Sequence, residues 1–198
     1  MATQRTAGQP IDGTTLTAFP VPLLAEALEP LRNGEYRSVL DLGAASEANV
    51  AHFSGTRCRL GIAHAMAELA AASAEEVDLE AILPRRLFGG TDLFLCWDLM
   101  DYLDQGVIRR LGAHLLSLAN PGAQLHALVA YGVPLVPSQP RGYRLGDGGV
   151  LPSPVPASDP GCRPPRHSSG ELQRFLPDWR VDRSVLLRNG FQEYRLHC

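Results

Sequence analysis

The sequence contains no lysine; all 18 of its basic residues are arginine. This excludes every mechanism built on a lysine amine, including Schiff-base formation and the lysine of a phosphate-binding loop. Cysteine is scarce and unpatterned. Cys58, Cys96, Cys162 and Cys198 form no C-x-x-C pair, so neither a zinc site nor a disulfide framework is expected. Positive charge is not in surplus: the net charge is −3, which argues against a nucleic-acid partner. The longest apolar candidate, residues 107–136, is interrupted by Arg109, Arg110, His114, Asn120 and Pro121, so no membrane span is expected. Met1 to Pro10 is polar and lacks the apolar stretch of a signal peptide, which predicts a cytoplasmic protein.

What is present is an ordinary globular composition, 45% hydrophobic and 20% charged over 198 residues. A chain of this length buries roughly 70% of its unfolded surface and needs no staple. The first 18 residues read as a mobile segment, and residues 19–198 as one domain. Pro22 opens a helical pattern with Leu23, Leu24, Ala27, Leu28 and Leu31 on one face, ending near Asn33-Gly34. Ser38-Val39-Leu40-Asp41-Leu42-Gly43 is a buried strand closed by a sharp turn, and Ser46 can cap the helix that follows. Further strands are expected over 58–62, 92–97 and 124–131, with helices over 63–72, 77–83 and 105–118 between them. Strands alternating with helices at this spacing imply a mainly parallel sheet with helices on both faces.

Residues 132–167 break the alternation. They include nine prolines and six glycines with no sustained periodicity, so this stretch is either a functional loop or partly disordered. Ser168 or Ser169 then caps a short helix, and Asn189-Gly190 joins 181–188 to 191–197 as a terminal antiparallel hairpin.

A strand ending in Gly43, then the small residues Ala44 and Ala45, then a helix N-terminus is how open α/β folds let a ligand approach the backbone. Taken with Asp92-Leu-Phe-Leu-Cys-Trp-Asp98-Leu-Met-Asp-Tyr-Leu103, Leu118-Ala-Asn-Pro-Gly-Ala-Gln-Leu125 and the terminal Leu187-Arg-Asn-Gly-Phe-Gln-Glu-Tyr194, the chain resembles the class I S-adenosylmethionine-dependent methyltransferases from about Pro22 to His197. The resemblance implies a Rossmann-like, mostly parallel seven-stranded sheet with a C-terminal antiparallel hairpin. Arg86-Leu87-Phe88 is the candidate for the third strand. It also implies S-adenosylmethionine as cofactor, held by Asp41, Gly43, Ala44, Ala45, Ala63, His64 and Trp97, and a small-molecule acceptor served by Asp98. Trp97 and Tyr102 would wall the adenine or the substrate, or simply pack in the core; Asp101 reads as a helix cap, and Tyr131 and Tyr143 flank a stretch that could act as a lid.

The departures from that pattern are specific. The glycine loop keeps only Gly43, with Ala45 and Glu47 where the family has its second and third glycines. Glu47 either faces the methionine end of the cofactor or points outward from the first helical turn, where negative charge is favourable. No acid follows the second strand: Ala63 stands where a carboxylate would take both ribose hydroxyls, and His64 is the nearest donor. A loss of that kind costs about 2–4 kcal/mol of cofactor affinity. The alternative is therefore a methyltransferase fold kept without catalysis, as a binding or scaffold protein with a protein partner. A dehydrogenase is disfavoured by the missing second glycine, and a serine hydrolase by the lack of a Gly-x-Ser-x-Gly elbow. His114 and His126 read as a surface and a strand residue rather than ligands.

Overall fold

The apolar run Ser38–Leu42 lies inside the sheet and not at its edge. Its strand, β1 (Arg37–Asp41), is flanked by two parallel neighbours, β2 (Cys58–Ile62) and β3 (Thr91–Leu95). The computed structural model describes residues 17–198, so most of the segment expected to be mobile lies outside the described residues. Strand β4 (Ala119–Ala130) runs parallel to β3, and the hairpin of β7 (Arg180–Leu186) and β8 (Phe191–His197) completes the sheet in the order β2-β1-β3-β4-β8-β7. Only β8 runs against its neighbours, pairing antiparallel with both β4 and β7. The fold is thus α/β, with a mainly parallel sheet and a C-terminal antiparallel pair.

Among the described residues this sheet has six strands, not seven. Arg86-Leu87-Phe88 forms no strand; Pro84 leads into a single helical turn, α6 (Arg85–Phe88). Two apolar residues are too few for a strand, and the fixed φ of Pro84 favours a helix start. This turn lies against β2 instead. Phe88 packs over Gly61, and the Arg59 guanidinium donates to the Gly89 and Gly90 carbonyls.

The helices follow their caps. Helices α1 (Pro22–Ala27) and α2 (Glu29–Arg32) divide at Leu28 because Pro30 restarts the chain within the expected single helix. Ser46 caps α3 (Glu47–Ser54) by accepting from the Asn49 amide, and α4 (Met66–Ala71) follows β2. Asp78 caps α5 (Leu79–Ile82). Helix α7 (Gln105–Leu118) is capped by Asp104, not by Asp101, which lies in a 3₁₀ turn (Leu99–Tyr102) and accepts from the Ala130 amide instead. Ser168 and Glu171 form a reciprocal capping box on α8 (Ser169–Phe175). Gly112 of α7 lets α8 approach closely, since a Cβ there would land on Leu176; Trp179 Nε1 donates to the Gly112 carbonyl at 2.9 Å.

The stretch 132–167 is not structureless. Tyr143–Gly146 (β5) and Gly149–Pro152 (β6) pair as a separate antiparallel hairpin, and Val150 bridges to Phe19. Leu145-Gly-Asp147-Gly148-Gly149-Val150 carries the Asp-Gly turn signal between alternating apolar residues, which the surrounding proline and glycine obscure.

One buried carboxylate closes the chain on itself. Glu193 of β8 is fully buried and accepts from the amides of Leu23 (3.1 Å) and Leu24 (2.8 Å), which no side chain of α1 caps. Its Oε1 also meets His126 Nε2 at 3.0 Å. A charged acceptor on the free amides of a helix N-terminus gains from both the hydrogen bonds and the dipole. Glu193→Ala should strand two amides and the His126 ring and destabilise the fold by about 3 kcal/mol in urea denaturation, whereas Glu193→Gln should cost less.

Candidate functional site

Strand order reverses between β1 and β3: the chain runs outward from β1 to β2 and returns across β1 to β3. The carboxyl ends of β1 and β3 therefore form the crevice where open α/β sheets take their ligands. Asp41 and Gly43 stand at one lip, Trp97 and Asp98 at the other.

Asp41 is 1% exposed, and three donors converge on its carboxylate. Oδ1 accepts from the Gly43 amide (2.8 Å) and from Trp97 Nε1 (2.6 Å), while Oδ2 accepts from Asn49 Nδ2 (3.1 Å). Burial raises its pKa above the ordinary carboxylate value, and the hydrogen bonds from Trp97, Gly43 and Asn49 oppose that rise. Trp97 reaches Asp41 because its backbone is left-handed, with φ +50°, a strained conformation for a large side chain. The indole passes directly over Gly43: a Cβ there would lie 3.0 Å from both Asp41 Oδ1 and Trp97 Nε1.

The hairpin supplies the remaining contacts. Tyr143 stacks on Trp97 with ring centroids 5.2 Å apart and planes inclined by 15°. Its hydroxyl donates to Asp98 Oδ2 at 2.8 Å. Asn49 ties the hairpin backbone down from α3, donating to the Tyr143 carbonyl (3.0 Å) and accepting from the Leu145 amide (2.8 Å). The Arg141 guanidinium lies 4.0 Å from Asp98 and over the Tyr143 ring. Trp97 and Asp98 are completely buried, and Tyr143 is 3% exposed.

Burial pushes the Asp98 carboxyl up to about 6, with the Tyr143 hydroxyl and Arg141 opposing; its Oδ1 is buried without a partner. Burial, relieved in part by the Ala130 amide and reinforced by the Asp98 charge, pushes Asp101 up to about 8. Burial and the same two carboxylates raise the Tyr102 hydroxyl, which also lacks a partner.

The residues singled out from sequence thus divide. Asp41, Gly43, Trp97 and Asp98 come together. Ala44 and Ala45 are exposed at the rim, as is Glu47, in the first turn of α3. Beyond β2 the backbone zips onto the β1 loop: Ala63 N donates to the Asp41 carbonyl, His64 N to that of Gly43 and Ala65 N to that of Leu42. His64 is exposed and joins the site through its backbone alone. Tyr131 is exposed, 55%. Asn49 was not foreseen at the site, and Tyr143 was noted only beside a stretch that could act as a lid. Asn49 sits one turn into a capped helix, a position with no motif, and Tyr143 is reached only through the hairpin.

Asp41 has its donors, Gly43 is roofed by an indole, and Trp97 and Tyr143 fill the space beside them. As arranged, these residues do not fit a nucleoside. An open groove of about 250 Å³ lies elsewhere, against α1 and the turn of the hairpin, bordered by Val21, Leu24, Leu28, Arg32, His52 and Asp147. It contains none of the residues expected at the site. Among the described residues no three His, Cys, Asp or Glu side chains gather to hold a metal, and no helix is long and apolar enough to cross a membrane.

No protein-family model matches this sequence, and no curated protein matches it. Solved structures do resemble its fold. A Rhodobacter sphaeroides protein, provisionally named a Zn-dependent alcohol dehydrogenase, aligns at a TM-score of 0.55 and 16% identity, covering 90% of this chain and 89% of its own. At that identity the likeness concerns the fold alone. S-adenosylmethionine-dependent methyltransferases are also among the structural neighbours. The 1,6-didemethyltoxoflavin-N1-methyltransferase of Burkholderia thailandensis aligns at a TM-score of 0.45 and 14% identity, over 89% of this chain and 78% of that one. The N-methyltransferase NodS of Bradyrhizobium japonicum, solved with S-adenosylhomocysteine, aligns at 0.46 and 11%, over 87% and 84%.

The raised pKa of Asp101 makes stability depend on pH with a definite sign. A carboxyl that holds its proton more tightly when folded stabilises the fold at low pH, and that contribution is lost as pH rises toward the folded value of about 8. Stability should therefore fall from pH 6.5 to 8, by about 1–2 kcal/mol, and Asp101→Asn should flatten the slope in paired denaturation curves.

Proposed function

We propose that this chain is a methyltransferase-fold domain that has kept the architecture without the transfer, and that it works as a binding or scaffold protein for a protein partner. The observation that carries this reading is the Asp41 carboxylate, satisfied by Gly43, Trp97 and Asn49 with the indole lying over the glycine turn. In an open nucleoside site that turn must be free for the ligand's close approach. The absence of an acid at Ala63 points the same way, since no carboxylate stands there to take the ribose hydroxyls. A cytoplasmic setting agrees with four cysteines that are all free.

A second reading is favoured by Asp98. A buried carboxyl raised to about 6, with one oxygen lacking any partner, is the kind of group that serves as a base near neutral pH. In that reading Asp98 would take the proton of a small acceptor, and S-adenosylmethionine, if held at the glycine turn, would supply the methyl group.

Titration of the purified protein with S-adenosylmethionine and S-adenosylhomocysteine to about 1 mM separates the two. Our reading expects no calorimetric heat and no thermal shift, in the wild type or in Ala63→Glu. A saturable shift, tightened several-fold by Ala63→Glu and accompanied by a turnover that Asp98→Asn lowers, would establish the second reading instead.

A further inference from the structure

The contacts of Tyr143 describe a ligand. A planar ring lies offset on the face of Trp97, 5.2 Å between centroids, and a hydroxyl at its far end donates to Asp98 Oδ2 at 2.8 Å. An indole face and a carboxylate acceptor together select a flat aromatic ring with a hydrogen-bond donor on its edge. The Arg141 guanidinium, 5.7 Å above the same ring, adds a cation–π contact from a third direction.

The occupant is delivered by a strap and not by the sheet that forms the site. Trp97 and Asp98 follow β3, whereas Tyr143 belongs to the two-stranded β5–β6 unit, which is separate from the main sheet. The strap is held from α3 through both ends of the Asn49 amide and from the N-terminal side through the Phe19–Val150 bridge. Asp98 Oδ1 remains buried without a partner even with Tyr143 in place. The acceptor is therefore only half used by the tyrosine.

We infer that the crevice between β1 and β3 is a site for a planar aromatic molecule bearing a hydrogen-bond donor, a phenol or an aminoheteroaromatic ring, and that Tyr143 is its tethered occupant, holding the site shut. This rests on the reading that the hollow is filled from within. It adds the chemistry of what fills it.

The test uses the full-length chain with p-cresol as probe, which reproduces the Tyr143 side chain. Tyr143→Ala should bind p-cresol saturably, with a dissociation constant on the order of 1 mM or tighter, followed by quenching of tryptophan fluorescence. Toluene, which lacks the donor, should bind at least about fivefold more weakly. Wild type and Tyr143→Phe, whose rings still fill the site, should show no saturation. A folded Tyr143→Ala protein that binds neither probe overturns the inference, as does one that binds toluene as well as p-cresol. Should Tyr143→Ala fail to fold alone, refolding decides: recovery with p-cresol and not with cyclohexanol supports the inference, and recovery with neither or with both overturns it. Binding of S-adenosylhomocysteine by the wild type would instead strike at the functional reading above, so the two failures are distinguishable.

Discussion

A carboxylate withdrawn from water at the end of a central strand must be matched by donors, and Asp41 takes three. Each donor carries a different part of the structure. The Gly43 amide sets the turn after β1. The Trp97 indole ties down the segment after β3 at the cost of a left-handed backbone. The Asn49 amide hands the interaction on to the β5–β6 hairpin, whose backbone it both donates to and accepts from. Burial still outweighs these bonds, since the pKa of Asp41 remains raised. The cluster is thus better understood as fixing a single arrangement of three segments than as a large source of stability.

A second buried carboxylate reinforces the first from the opposite end of the chain. Glu193 holds the start of α1 and, through His126, a ring that meets Trp97 edge-on at 6.2 Å. The indole is therefore bounded by Asp41 at its nitrogen, Tyr143 on its face and His126 at its edge. None of these partners is a near neighbour in sequence. Trp97 and Asp41 are 56 residues apart, and Asp98 and Tyr143 are 45 apart.

That separation explains which parts were legible before any coordinates. β1, β3, β4 and the terminal hairpin announce themselves locally, through apolar runs bounded by glycine or by Asn-Gly, and Ser46 and Ser168 mark helix starts by their own side-chain chemistry. The additional strand implied by the resemblance at Arg86-Leu87-Phe88 does not form, because Leu87-Phe88 sits between Pro84 and Gly89, a span that supports one helical turn. The β5–β6 hairpin was hidden in a segment whose proline and glycine content suggests no structure, although Asp147-Gly148 is a turn signal in its own right. At the site, the loop residues were recognisable by resemblance, but their occupant was not. Only the folded chain shows that the Tyr143 ring, and not an open space, lies against Trp97.

Fold and occupancy therefore carry different information. The sheet order and its switch point are shared with many α/β proteins and leave function open. What decides is the competition at the crevice. A side chain tethered by a short strap acts at an effective concentration in the millimolar range, and here the strap is further fixed by Asn49 and by the bridge to Phe19. A nucleoside diffusing at a concentration below that range would face a more concentrated competitor. It would also lack an acid at residue 63 and free space above Gly43, two of the interactions that could offset that disadvantage. A molecule that takes this site must be one whose ring and donor match Trp97 and Asp98 better than Tyr143 does. Otherwise the crevice stays closed by the Tyr143 ring.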